Sequence, residues 1–157
     1  MPAPDVDETN FHDYFNVKDV LEALQKTGYD NVEPRVMDDV ITWHRAKVGT
    51  NRTLVIFISD GGIGLVDRSY RGNVNQAIKA SVRGTDEEIF WAFAGIAGSD
   101  YGPLKKLDDL TERNFDNSSF FAVDRIDDMS DDKLYEAILL EFAPWIKALV
   151  AAGKYVR

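Results

Sequence analysis

The residues best suited to chemistry are the carboxylates between residues 124 and 132. This stretch contains Asp124, Asp127, Asp128, Asp131 and Asp132. Calcium prefers oxygen ligands, so the first four are candidate ligands for a divalent cation. The register is not that of an EF-hand, because the sixth position from Asp124 is a methionine where the EF-hand turn needs glycine. The same aspartates also suit a turn followed by the acidic first turn of a helix, so calcium binding and a structural role both stay open.

Catalytic motifs are weak in this sequence. It has no cysteine and only two histidines, which excludes disulfides, thiolate zinc sites and cysteine nucleophiles. His44 follows two aspartates of the same segment, and a small hydrolase built on a His–Asp pair is one alternative. Ser99 does not fit the G-x-S-x-G motif. The glycines of residues 61–64 lack both the third glycine of a dinucleotide-binding loop and a Walker lysine. The sequence therefore does not decide whether the protein is an enzyme and favours a non-catalytic role.

Aromatic and arginine side chains form a second candidate group, since these residue types dominate the energetics of protein interfaces. The candidates for such contacts are Trp43, Arg45, Arg68, Tyr70, Trp91 and Trp145. The same mixture would suit base stacking on single-stranded RNA, but no RNA-recognition octet is present. Contact with another protein is the better interpretation.

The charge of the chain limits the classes of partner that it is expected to bind. Eighteen Lys and Arg against twenty-seven Asp and Glu give a net charge of −9, which disfavours duplex nucleic acid and anionic membranes. The charge is segregated: residues 1–34 carry −6, residues 35–83 carry +4 and residues 84–157 carry −7. The basic middle segment predicts either ion pairs with the acidic parts or a basic face for an acidic protein.

Helical periodicity predicts three main helices that would position these groups. Apolar residues at i, i+3, i+4 and i+7 predict a helix over 17–27. A capping-box sequence at 85–88 predicts a middle helix, and leucine spacing predicts a short one over 104–110. Ser130 caps a long C-terminal helix that ends at Gly153.

Alternating and β-branched segments predict the strands. Residues 40–48 are read as a strand, and residues 53–71 are read as a hairpin that turns at 60–62. Residues 78–83 alternate like a half-buried strand, and 120–123 give a later one. These segments predict an antiparallel sheet of about four to five strands.

The resulting fold class is α+β. Residues 1–10 are predicted to be a flexible acidic tail, and residues 11–157 a single domain. In that domain the antiparallel sheet is packed by an N-terminal helix, a middle helix and a long C-terminal helix. No apolar run approaches the roughly 18 residues of a membrane helix and the acidic N-terminus does not resemble a signal peptide, so a cytoplasmic location is expected.

The order of these elements over residues 17–150 resembles the type III secretion chaperone-like fold and the related YbjN family. The segments that carry the resemblance are the Val17–Leu24 helix, the Val40–Tyr70 strands, Phe120–Val123 and the Leu134–Leu149 helix. The resemblance implies a non-catalytic, chaperone-like and often dimeric protein that binds other proteins.

Together these observations favour a non-enzymatic protein-interaction module, such as a chaperone, adaptor, regulator or immunity-type protein. It would act through a sheet face or its amphipathic helices. The expected partner is another protein molecule, and a second copy of this chain in a homodimer would be one such partner. Duplex nucleic acid and membranes are not expected partners. The alternative is a protein that binds or senses calcium through its aspartate-rich loops. No other cofactor is expected.

Overall fold

The computed structural model describes residues 33–59, 73–96, 101–102, 104–123 and 130–154. The chain divides into two compact units, Met1–Asp30 and Asn31–Arg157, and every described residue belongs to the second. The predicted acidic tail 1–10, the helix 17–27 and the second half of the hairpin at 63–71 lie outside the described residues.

The described part of the chain contains a three-stranded sheet. Its strands are β1 (Thr53–Ser59), β2 (Ile89–Ile96) and β3 (Ser118–Val123), in the spatial order β1-β2-β3. Thr53 lies opposite Ile89 and Trp91 lies opposite Ser118, and both pairs of strands are parallel. The prediction of an antiparallel sheet with four to five strands is therefore wrong. Parallel neighbours need a crossover, so the segments between the strands cannot be hairpin turns.

Helical elements precede, separate and follow the strands. Helix α1 (Glu33–Trp43) continues into a π-helical segment, His44–Val48. Helix α2 (Val74–Arg83) connects β1 to β2, and a 3₁₀ segment (Leu104–Leu107) lies between β2 and β3. Helix α3 (Asp131–Ala151) follows β3. No helix among these described elements is long and apolar enough to cross a membrane.

The central strand β2 was predicted as a helix, and that prediction is wrong. Its eight residues are all apolar or glycine, and seven of them are buried. A strand in the middle of a parallel sheet is buried on both faces, so it shows an uninterrupted apolar run rather than alternation. Thr85 does not cap a helix. Its hydroxyl donates to the Ser81 carbonyl at 2.8 Å and accepts from Trp91 Nε1 at 2.9 Å.

Two predicted strands, 40–48 and 78–83, are helical instead. The residues of α1 and its extension that pack inward lie at i, i+3, i+4 and i+7 and are Met37, Val40, Ile41 and His44. In α2, Ile78 and Val82 are buried one turn apart. The side chain of Asn73 caps α2 by accepting from the amide three residues later at 3.2 Å. Helical burial and capping outweigh the β-branched composition of these segments.

Three predicted elements are confirmed by the structure. Residues 53–59 form β1, and 120–123 lie within β3. The long C-terminal helix begins after Ser130, whose hydroxyl accepts from the Lys133 amide at 3.5 Å. Gly153 follows its end with φ +69°, a left-handed conformation that glycine adopts without strain.

The sheet is covered unequally on its two faces. On the first face, α1, α2, the 3₁₀ segment and the residues just after it surround a core made of Met37, Ile78, Val82, Ile89, Trp91, Phe93, Leu104, Leu107 and Leu110. On the second face, α3 packs over a core made of Phe90, Ala92, Ile138, Trp145 and Leu149, to which Phe115 adds. Within the described residues, one face therefore carries two helices and the other carries one.

Candidate functional site

Exposed apolar side chains lie on β1 and on one flank of α3. Ile56 of β1 lies opposite Ala92, which is buried beneath α3, so Ile56 and Ile58 project from the face that α3 partly covers. They are 48% and 56% exposed. On α3, Tyr135, Leu139 and Val150 are 63%, 44% and 52% exposed. These five residues are called the β1–α3 surface below.

The orientation of α3 explains why this surface is open. The helix packs against β2 and β3. Its Glu141 interacts electrostatically with Asp108, whose carboxylate accepts a hydrogen bond from the Phe120 amide of β3. Leu139 is two residues away from Glu141 and so lies about 160° around the helix, on the flank that faces β1. Among the described elements, α3 packs on β2 and β3 and leaves the sheet surface over β1 beside an apolar flank of the helix.

The two ends of this surface carry different charged groups. Asp131 and Asp132 form the exposed first turn of α3, which begins beyond the carboxyl end of β3. At the other end, the Arg52 guanidinium donates to the Lys154 carbonyl and to that of Thr50, so it joins the start of β1 to the chain after α3. Helix α3 therefore runs antiparallel to the strands. The surface is acidic at one end, and at the other end Arg52 lies beside Lys154, which pairs with Glu87 at 3.2 Å.

A buried polar network fixes α3 against the sheet. Trp145 Nε1 donates to the Asp86 carbonyl at 2.7 Å. The Asp86 carboxylate accepts from the Asn114 amide at 2.6 Å and from the Phe115 amide at 3.3 Å. Because these partners precede β2 and β3, one residue ties the helix to two strands. The flank that α3 presents to β1 is thus held in place.

Carboxylates on the opposite flank of α3 are partly desolvated. Burial raises the pKa of Glu141, and Asp108 and Asp116 raise it further, while Arg113 opposes the shift. Burial likewise raises the pKa of Asp108. Arg113 pairs with Asp116 and donates to the Ser118 hydroxyl at 2.6 Å. This cluster joins the loop before β3 to the strand, which is a structural role.

His44 occupies a buried position beside the start of β1. Its Nδ1 lies 2.7 Å from the Thr53 hydroxyl, and its buried Nε2 makes no hydrogen bond. Burial lowers the pKa of His44; Glu88 opposes this shift, while the arginines at positions 45 and 52 reinforce it. A neutral imidazole held by a threonine is not a His–carboxylate pair, so this geometry gives no support to the hydrolase alternative.

A family model covers almost the whole chain. Residues 2–155 match a model described as the vWA domain found in the TerF C terminus. The chain belongs to the vWA-TerF-like family. It is also similar to the uncharacterized protein YcbR of Bacillus subtilis (strain 168), with 35% identity over 151 residues. That match covers 94% of this chain and 57% of the relative, so the chain spans a little more than half of the relative's length.

This family assignment corrects the resemblance drawn from element order. The type III secretion chaperone-like and YbjN assignment is wrong, since it rested on an antiparallel sheet that the structure does not contain. vWA-like domains often mediate protein interactions or bind metal ions. Protein interaction is therefore relevant to the predicted aromatic and arginine residues, and metal binding is relevant to the predicted aspartates.

The predicted interaction residues are dispersed over this vWA-like domain. Trp43 is 54% exposed at the end of α1, and Arg45 pairs with Glu88 at 3.0 Å. Trp91 and Trp145 are buried in the cores on opposite faces of the sheet, so neither offers an anchor at the surface. The remaining two candidates, Arg68 and Tyr70, lie outside the described residues.

One of the four predicted metal ligands lies within the described residues. Asp131 is exposed in the first turn of α3, whereas Asp124, Asp127 and Asp128 lie outside the described residues. In the described segments, no group of three or more His, Asp or Glu residues could hold a metal ion. In the sequence, Asp124 follows the last residue of β3 directly. The carboxyl ends of β1 and β3 share one edge of this parallel sheet.

None of the five residues of the β1–α3 surface was selected from the sequence. Ile56 and Ile58 belong to the run that was predicted as the first strand of a hairpin, and that pattern did not show that their side chains are exposed. The three α3 residues were not selected because apolar residues of this helix are not confined to the side that faces the sheet. The available signal was the second stripe at three- and four-residue spacing formed by Tyr135, Leu139, Phe142, Ile146 and Val150.

Proposed function

We propose that this vWA-like domain is a non-enzymatic protein-interaction module that acts through the β1–α3 surface. The observation that supports this is that five large apolar side chains, two on the sheet face that α3 partly covers and three on α3 itself, are each between 44% and 63% exposed. Large exposed apolar patches are uncommon on monomeric proteins and often mark interaction sites. A sheet face and a helix flank, the two surface types expected from the sequence, both contribute to it.

The apolar side chains of this surface would supply part of the free energy of a specific contact. Burying the exposed part of one such side chain contributes on the order of 1 kcal/mol. Five of them would supply about 5 kcal/mol before the entropy cost of association is subtracted. Hydrogen bonds and ion pairs at the rim would provide the remaining affinity and the specificity.

The chemistry of the rest of the molecule supports a protein partner. A net charge of −9 disfavours duplex nucleic acid and anionic membranes as partners. A cytoplasmic location, and the absence of a catalytic reaction, are parts of the same proposal. A second copy of the chain is one partner that the experiment below distinguishes by mass.

Site-specific photo-crosslinking in the cells that make the protein tests this proposal. A benzophenone amino acid replaces Leu139 in one variant and Val36 in the control, where Val36 is 51% exposed on α1. A discrete crosslinked product at position 139 that is absent at position 36 is expected. It should disappear when Ile56 and Ile58 are both changed to Asn. Equal crosslinking at the two positions, or none at position 139, contradicts the proposal.

A second function, divalent-cation binding, has support of a different kind. β1 and β3 end at the same edge of the sheet, and the aspartate-rich segment follows β3 directly in the sequence. Ligands of parallel α/β sheets bind at the carboxyl ends of the strands. Carboxylates from such a segment are ligands that calcium and magnesium accept. We propose Asp124, Asp127, Asp128 and Asp131 as the ligands to be tested.

Calorimetric titration tests the cation proposal. Calcium chloride and magnesium chloride are titrated in turn into the protein and into an Asp124→Asn/Asp127→Asn variant. Saturable heat in the native protein that the variant loses is the expected result. Asp109→Asn, an exposed site in the loop before β3, serves as the matched control and should bind like the native protein. Heat no greater than that of buffer dilution contradicts the proposal.

A further inference from the structure

His44 is the only buried residue between positions 42 and 52. This part of the chain contains the π-helical extension of α1 and the turn that leads into β1; residues 44–52 are called the 44–52 turn below. Its other side chains are exposed or half-buried. Segments with few buried contacts open locally more readily than the packed elements beside them. His44 therefore anchors an otherwise exposed turn in the protein interior.

The anchor lies where two connections of the chain meet. Nδ1 of His44 is 2.7 Å from the hydroxyl of Thr53, the first residue of β1. The Thr53 amide donates to the Glu88 carbonyl at 3.2 Å, directly before β2. The Glu88 carboxylate accepts from Arg45 Nε at 3.0 Å. These contacts join the 44–52 turn to the chain segment that enters β2.

The surroundings of His44 suit a neutral imidazole and disfavour a charged one. Nε2 is buried without a hydrogen bond, so a proton on this nitrogen would face no acceptor among the described residues. Burial lowers the pKa of His44, and Arg45 of its own segment and Arg52 before β1 act in the same direction. Glu88 opposes them, but its carboxylate already pairs with Arg45 at 3.0 Å. Uptake of a proton is therefore easiest when the imidazole reaches water.

The backbone of the turn supplies a reporter for such an opening. The Gly49 amide donates to the His44 carbonyl at 3.2 Å, across five residues, as in a π-helix. π-helical turns are rare in proteins and occur frequently at functional sites. An amide in a hydrogen bond exchanges with solvent when the bond opens. Exchange at Gly49 therefore measures how often the 44–52 turn is released.

We propose that His44 is a pH-sensitive switch that holds the 44–52 turn closed when its imidazole is neutral and releases the turn when it is protonated. Release separates the turn from Thr53 and from the segment that enters β2, while α2, α3 and the sheet stay folded. In the open turn the imidazole has its ordinary pKa near 6.5, so the switch operates in mild acid. The switch does not depend on the β1–α3 surface.

Amide hydrogen exchange of the full-length protein, followed by NMR, tests this proposal. Rates are compared at about pH 7.5 and about pH 5.5, one unit on either side of the ordinary histidine pKa, after correction for the intrinsic chemical rate. Protonation of the open form should lower the protection of the Gly49 amide by about tenfold between these values. Dilute urea should accelerate exchange in α3 and leave Gly49 unchanged, because a local opening exposes little surface.

Histidine variants identify the group that takes up the proton. His44→Gln cannot be protonated and can still bond to the Thr53 hydroxyl, so the protection of Gly49 should no longer depend on pH. His12→Gln, the matched control, changes the only other histidine and should keep the response of about tenfold. Thr53→Val retains His44 and removes its partner, so protection of Gly49 should fall by about fivefold at both pH values. Circular dichroism confirms that each variant is folded.

Four results overturn the proposal. If the protection of Gly49 is the same at both pH values, no such switch exists. If His44→Gln keeps the full pH response, another group controls the opening. If Gly49 and the α3 amides respond equally to urea, acid unfolds the whole domain and the turn is not a separate unit. Unchanged protection in Thr53→Val shows that the imidazole does not hold the turn, and this variant provides a test even if His44→Gln does not fold.

Discussion

Asn117 holds together the framework that positions the β1–α3 surface, and its removal should be costly. The residue is fully buried before β3. Its Nδ2 donates to the carbonyls of Val82 and Ile89, both at 2.9 Å, and its own carbonyl accepts from the Trp91 amide at 2.8 Å. One side chain therefore links the end of α2, the start of β2 and the start of β3.

The expected cost follows from these bonds. Asn117→Ala removes two donated hydrogen bonds, each contributing about 1 kcal/mol net, and the bond that Oδ1 accepts from Arg113 at 3.3 Å, and it leaves two buried carbonyls with fewer partners. We expect the free energy of unfolding to fall by about 2–4 kcal/mol. Asn117→Asp should also lower it at neutral pH, because a buried carboxylate would then face two carbonyl oxygens and donate to neither, while the Arg113 guanidinium beside Oδ1 offsets part of this cost.

Urea unfolding followed by circular dichroism measures this effect. With a slope of about 2 kcal/mol per molar urea, the midpoint for Asn117→Ala should fall by about 1–2 M. The matched control is Asn114→Ala: its side chain is exposed, and its backbone amide, which the substitution keeps, makes the bond to Asp86. If the two alanine variants unfold within about 0.5 kcal/mol of each other, the reasoning is refuted.

Three further predictions concern single positions. A Cβ at Gly95 would lie 2.5 Å from the Tyr101 ring, so Gly95→Ala should lower the free energy of unfolding by about 1–3 kcal/mol in urea titrations, and adding Tyr101→Leu should restore part of it. The lowered pKa of His44 means that the unfolded chain binds its proton more readily, so stability should fall as pH drops below 6.5; His44→Gln should flatten this slope, and an unchanged slope would contradict it. The raised pKa of Glu141 predicts the opposite pH dependence, because the folded chain binds this proton more readily than the unfolded chain. Stability should fall as pH rises above 4.5, and Glu141→Gln should remove that loss in thermal melts across the same range.

The elements that the sequence predicts well are those whose local signals agree with their tertiary setting. Ser130 caps α3 and Gly153 follows its end, and both signals act within one helical turn. β2 shows the opposite case. Its apolar run is compatible with a buried helix or a buried strand, and only the presence of β1 and β3 on either side decides between them.

The candidate surface was harder to predict than the fold, and the reason is physical. Exposure of Ile56 depends on which strands α3 covers, and that depends on long-range contacts such as the bond from Trp145 to Asp86. No local pattern encodes this. The apolar stripe of α3 was readable as periodicity, but periodicity alone does not show that one stripe faces the sheet and another faces outward.

The charge segregation in the sequence has a structural explanation. The exposed apolar surface is therefore the feature that indicates a binding partner. Bases of the predicted basic segment pair with acids that come later in the chain: Arg45 with Glu88 at 3.0 Å and Arg83 with Glu112 at 2.9 Å. These pairs are partly exposed, so each contributes little to stability. The positive charge of that segment is thus met in part by the protein itself and does not require an acidic partner. Exposed apolar side chains have no such internal compensation, and for this reason the β1–α3 surface is the stronger indication of a binding partner.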